Sequence, residues 1–116
     1  MKILHEKART AEFLLSEGAG EISREKIILA ATATGYPSGQ VLGQITATKQ
    51  YAAYNPAGTD GTEKAAAVLY GAADISTDPE PATAIVRLAE VAATSLTGLD
   101  AEARADFAPT FLIVRD

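Results

Sequence analysis

Clusters of turn-forming residues cut this chain so often that, from Ile27 onward, it has room mainly for short elements. Gly35-Tyr36-Pro37-Ser38-Gly39 and Asn55-Pro56-Ala57-Gly58-Thr59-Asp60-Gly61 are dense in residues that fix or tolerate special backbone angles. Asp78-Pro79-Glu80-Pro81 is a stiff connector, because each proline sets its own φ and restrains the residue before it. The segments between these breaks read as strands. Ile27-Ile28-Leu29-Ala30 is a short apolar run. Val41 to Thr48 alternates, with Val41, Gly43, Ile45 and Ala47 on one face. Ala65 to Tyr70 fits helix or strand by periodicity, and its flanking glycines and short length favour strand. Ala84 to Val91 is the best continuous strand pattern, with both faces mixed as at an edge or a subunit boundary.

One short helix is expected near the end. Asp100 caps it, Glu102 places a carboxylate in its first turn and Pro109 stops it, after which Phe111-Leu112-Ile113-Val114 reads as a closing strand. The fold class is therefore mainly β, and 116 residues suffice for one domain with a modest core. Hydrophobic residues make up 47% of the chain, but much of that is alanine and aromatics supply only 6%, so little area is buried per residue. Oligomerisation is a natural way to bury more.

Residues 1–26 differ from the rest, with five basic and five acidic side chains around one apolar island, Phe13-Leu14-Leu15, and a glycine-rich end at Gly18-Ala19-Gly20. Two readings stand: a flexible arm with little core of its own, or an amphipathic helix from Glu6 to Leu15 packed on the domain. The division expected is an arm over residues 1–26 and a β-rich body over 27–116.

Composition excludes several functions. A net charge of −5 without any Lys/Arg cluster argues against direct nucleic-acid binding. With no cysteine there is no disulfide, thiolate metal site or thiol nucleophile. The longest apolar run, 65–73, falls far short of the roughly 20 residues that span a membrane, and the N-terminus shows no signal-peptide pattern. The single histidine, His5, lies in the arm, where a general base would lack a fixed position. Glu102 and Asp106 stand four apart on the expected helix and read as a solvated face rather than paired catalytic carboxylates. Gly39-x-x-x-Gly43 lacks the ending of a phosphate-binding loop and reads as punctuation at a strand edge. No metal or cofactor is expected, nor any catalysis.

Several motifs in order nevertheless point to a role. Glu12-Phe13-Leu14-Leu15-Ser16-Glu17 is followed by Ser23-Arg24-Glu25, then by Gly39-Gln40-Val41-Leu42-Gly43-Gln44-Ile45-Thr46. A tyrosine, a loop, Asp60-Gly61 and Ala66-x-Val68-Leu69 come next, and the short helix and final strand close at Arg115. This ordered set resembles the lambda-type head decoration proteins of tailed bacteriophages. The resemblance implies a β-clip-like fold, a homotrimer, and the major capsid protein as partner on the outer surface of the expanded head. It also implies that the N-terminal arm orders on the shell, with Glu12, Phe13, Leu14, Leu15, Ser16, Ser23 and Arg24 as contact residues. Phe13 and Leu15 are the expected anchors, while Arg24 pairs either with the shell or with an internal carboxylate. The loops 51–62 and 77–81 match no fixed pattern, which leaves room for a trimeric surface-binding module. A third reading is metabolic: Thr62-Glu63-Lys64-Ala65 resembles the modification hairpin of lipoyl carrier domains, with Lys64 as the acceptor, although the chain lacks a carrier's symmetry between halves.

Overall fold

In a computed structural model, which describes residues 10–20 and 22–116, the chain from Arg24 to Ile85 winds into a closed five-stranded barrel. Strand β1 (Leu14–Glu17) precedes it; the barrel strands are β2 (Arg24–Leu29), β3 (Val41–Gln44), β4 (Tyr51–Ala53), β5 (Ala65–Leu69) and β6 (Glu80–Ile85). Their spatial order is β2-β4-β3-β5-β6, and β6 closes antiparallel onto β2 from Arg24↔Ile85 to Leu29↔Glu80. A second, three-stranded sheet has β7 (Ala89–Ala92) at its centre, antiparallel to β1 and parallel to β8 (Leu112–Arg115). Helix α1 (Ala101–Phe107) leads into β8.

The barrel strands are apolar almost throughout because they are buried on two sides. Ile27, Leu29, Leu42, Ala67, Leu69 and Ala84 fill the barrel interior with Tyr36 and Val86. Their neighbours Val41, Val68 and Ile85 point the other way, into a second core shared with Phe13, Val91, Leu112 and the helix. Two-sided burial removes the polar-apolar alternation that marks a half-wet strand, which is why residues 65–69 looked ambiguous by pattern. The helix contributes Ala103 and Phe107, one turn apart on the same face. As expected, Asp100 caps it, its carboxylate accepting from the Ala103 N–H at 2.7 Å, and Pro109 sits in the 3-10 turn that ends it.

The glycines of the strand motif have steric reasons. Gly39 takes a φ of +86°, and a Cβ there would meet the Ser95 carbonyl at 2.5 Å; one on Gly43 would lie 2.6 Å from the Thr62 Cα. Both allow close backbone approach, at either end of β3.

Three expectations need correction. Residues 84–91 are not one strand. The chain leaves the barrel after Ile85, turns at Leu88 with a φ of +50°, and enters the other sheet as β7. The connector 77–81 ends inside β6, where Pro81 stands opposite Ile28, and the loop 51–62 begins as β4, the strand that closes the barrel through Leu29↔Tyr51. The alternating segment 41–48 stops pairing at Gln44, after which the chain turns with Lys49 at a φ of +64°.

Candidate functional site

Segment 10–17 packs on the body. The Ala11 N–H donates to the Tyr70 carbonyl at 2.9 Å, and the segment then runs along β7 with Leu14 opposite Val91 and Glu17 opposite Ala89. Phe13, only 1% exposed, fills the second core, and half-buried Leu14 packs against it. Neither the free arm nor the amphipathic helix describes these residues, because Phe13 packs into the core between the layers, together with Tyr54 and Phe107. A seated Phe13 is not presented to a partner, so it cannot anchor the chain to a shell without leaving its own core. Leu15 is the opposite case: at 56% exposed it projects from the edge strand.

The polar members of the motif hold β1 in place. Glu17 receives two hydrogen bonds from Arg24, at 2.7 and 3.0 Å, and the Arg24 guanidinium also lies 4.5 Å from the centre of the Tyr70 ring. The hydrogen bond from Arg24 holds the Glu17 carboxyl below the usual range, and Arg24 is pushed up in turn. Of the two partners considered for Arg24, the structure therefore supplies the internal one. Ser16 donates to Glu90 at 2.6 Å, and Arg115 donates to the same carboxylate at 2.7 Å. Those contacts, Ser16 first, lower the Glu90 carboxyl. Ser23 is fully buried: its hydroxyl donates to the Leu88 carbonyl and accepts from the Gly18 N–H, both at 2.8 Å, which ties the connection between β1 and β2 to the turn before β7. Glu12 is exposed, at the start of the segment.

The structure thus brings Leu15, Ser16, Arg24 and Ser23 together around β1 and separates Phe13 from them. It also adds residues that the sequence did not single out. Ile22, Leu88, Phe111 and Ile113 are exposed and line one groove of about 500 Å³ at the Glu17 end of the three-stranded sheet. They lie far apart in the chain. The available signal was a bulky apolar residue where a turn would favour a polar one or glycine, as at Leu88 and Phe111.

The remaining chemical candidates are dispersed. Lys64 is exposed in the turn before β5, beside the Asp60–Thr62 contact that lowers the Asp60 carboxyl. Asp106 accepts the Ala65 N–H at 2.9 Å and so ties α1 to β5 rather than pairing with Glu102. His5 lies outside the described residues. Among the described residues no group of three or more His, Cys, Asp or Glu could hold a metal ion, and no helix is long and apolar enough to cross a membrane.

A family model described as bacteriophage lambda head decoration protein D matches residues 3–109, nearly the whole chain. Comparison with curated proteins and comparison with solved structures each gave no match.

Proposed function

The chain belongs to the bacteriophage lambda head decoration protein D family, and from that premise we propose that it binds as a homotrimer to the outside of the expanded head and stabilises it. Membership makes it a capsid-associated structural protein. The match over residues 3–109 carries the reading, since it spans the whole barrel and two strands, β1 and β7, of the three-stranded sheet. The major capsid protein is the proposed partner, met by the segment that enters β1 and by Leu15 on its free edge.

Magnitudes favour a trimer for this mode. Ordering an arm costs about 1–2 kcal/mol per residue, and each backbone hydrogen bond contributes about 0.5–1.5 kcal/mol net. Strand pairing alone therefore comes close to cancelling. Covering an apolar side chain such as Leu15 adds about 1.5–3 kcal/mol. Three such contacts on one rigid body gain a further factor of about 10²–10⁴ through effective concentration. Phe13 supports this indirectly, by fixing the root from which Leu15 projects.

Co-sedimentation with expanded, undecorated heads of the cognate phage tests the proposal. Removing residues 1–24 would be a poor control, because it also removes Phe13 from the core and Ser23 from the turn. Removing residues 1–9 leaves every contact described above in place. The full chain is expected to bind saturably, in threes, and both the 1–9 deletion and Leu15→Asp to lose binding. No binding by the full chain rejects the decoration role; full binding by both variants rejects the contact site.

A further inference from the structure

Among the described residues seven large apolar side chains are exposed, and five of them, Leu15, Ile22, Leu88, Phe111 and Ile113, stand on or at the end of the three-stranded sheet. The groove formed by the last four has features of a surface made to be covered. Among the described residues five positive-φ positions are glycine and four are not, and of those four only Leu88 at +50° and Phe111 at +58° carry large apolar side chains. Glycine would relieve that strain, so the retained feature is the outward apolar group. Both backbones are firmly fixed: the Leu88 carbonyl accepts from Gly18 and Ser23, and the Phe111 carbonyl from the Ala89 N–H. At the rim, Glu17 and Glu90 are already neutralised within the chain by Arg24 and Arg115, so burying them there requires no new counter-charge.

We propose that this groove seats a second copy of the chain and forms the contact between subunits. The area suits that occupant. Taking roughly 200 Å² for a large side chain, the four residues expose on the order of 400 Å², against the ~800 Å² per partner, little more than half of it apolar, of a standard interface. Position also suits it. The N-terminal segment joins the body at Thr10, beside Gly71, and meets the groove only at Ser16 and Glu17, the last residues of β1. The assignment rests on the proposed shell contact at that segment, which leaves the far end of the sheet free for a neighbour. A ring of three needs two different surfaces on each copy. The remaining exposed apolar residues, Ile28 and Ile75, lie in β2 and in the connection between β5 and β6, apart from this sheet.

Placing the photo-crosslinker p-benzoylphenylalanine at Phe111 tests this, on the free protein and on decorated heads. The expected product is an adduct at twice the 12.0 kDa chain mass, with the crosslinked peptide coming from a second copy. An adduct to the coat protein alone, or no self-adduct in either sample, overturns the proposal. If the heads stay undecorated by the unmodified chain, the decoration reading fails, while the self-adduct in free protein still decides this one. Phe111→Asp provides a second readout: at concentrations low enough that both proteins are monomeric it should keep the parent's thermal midpoint, while the trimer's dissociation constant rises at least tenfold. A trimer of unchanged affinity would overturn the assignment.

Discussion

The barrel and the three-stranded sheet divide the molecule's work. In β3 and β5 nearly every side chain is buried, on one side against the barrel interior and on the other against the second core. The barrel closes on itself and leaves few unpaired backbone groups. The sheet has two free edges, β1 and β8, one dry face, and an outer side where Leu15 and Ile113 alternate with the Ser16–Glu90–Arg115 network. Stability is concentrated where both faces are covered, and recognition where one remains open. The proposed function uses both: a body stable in itself, and a face left open for a partner.

Phe13 and Phe111 put that division to its largest test, since they differ by 1% against 66% exposure. With both compared as monomers, Phe13→Ala should cost about 3–5 kcal/mol through the cavity between the layers, whereas Phe111→Ala should stay within about 0.5 kcal/mol. Urea midpoints at equal m-value measure both. Equal effects would mean that Phe13 is not seated and that the sheet is not tied to the barrel. Tyr54 probes the same seam from the barrel side, because its hydroxyl donates to both Asp100 carboxylate oxygens at 3.0 and 3.1 Å. Burial, and then that hydrogen bond, push its ionisation up to about 12. A raised tyrosine pKa means stability that is present below about pH 10 and lost as pH climbs toward 12. Tyr54→Phe should cost about 1.5 kcal/mol and remove the highest-pH step from the tyrosinate absorbance titration.

A smaller effect is expected at Leu88. Replacing it with glycine relieves left-handed strain of about 1–2 kcal/mol and adds about 0.5–1 kcal/mol of chain entropy cost. With some packing lost as well, Leu88→Gly should fold within about 1 kcal/mol of the parent. Its subunit association should weaken in sedimentation equilibrium. A clear loss of stability with unchanged association would move Leu88 from the open face to the core.

Much of this fold was legible because local signals and tertiary context agree. The Asp100 cap, the Pro109 stop and the final strand needed only nearby residues, and Gly39 and Gly43 read as strand punctuation, though not as close backbone approach. What could not be read was the crossing between layers. Residues 84–91 carry unbroken strand residues, and only the long-range contacts of Leu88 reveal the turn. Phe13 and Arg24 stayed open for a related reason. A plug for the chain's own core and an anchor for a partner's pocket call for the same aromatic, and a guanidinium suits an internal carboxylate as well as a foreign one. The groove residues, from Ile22 to Ile113, meet only in space.

The smallest effect is the most selective. The Glu17 and Glu90 carboxyls both lie below their ordinary 4.5 in the folded chain, through hydrogen bonds from Arg24 to the first and from Ser16 and Arg115 to the second. A carboxyl lowered by folding adds stability above its unfolded value, and that stability disappears as pH falls through the lowered one. Both carboxylates clasp β1, and neither reaches the barrel's closed core. Between about pH 7 and pH 3, protection factors of the Leu14–Glu17 amides, taken against the intrinsic exchange rate at each pH, should therefore fall before those of Val41–Gln44 or Ala65–Leu69 change. Glu17→Gln should reproduce part of that loosening at neutral pH. Added salt should weaken the contacts only modestly, because the pairs are in direct contact, well inside the ~10 Å screening length at 0.1 M salt. If β1 and the barrel lose protection together, the clasp is not what holds the sheet, and the two layers form one cooperative unit.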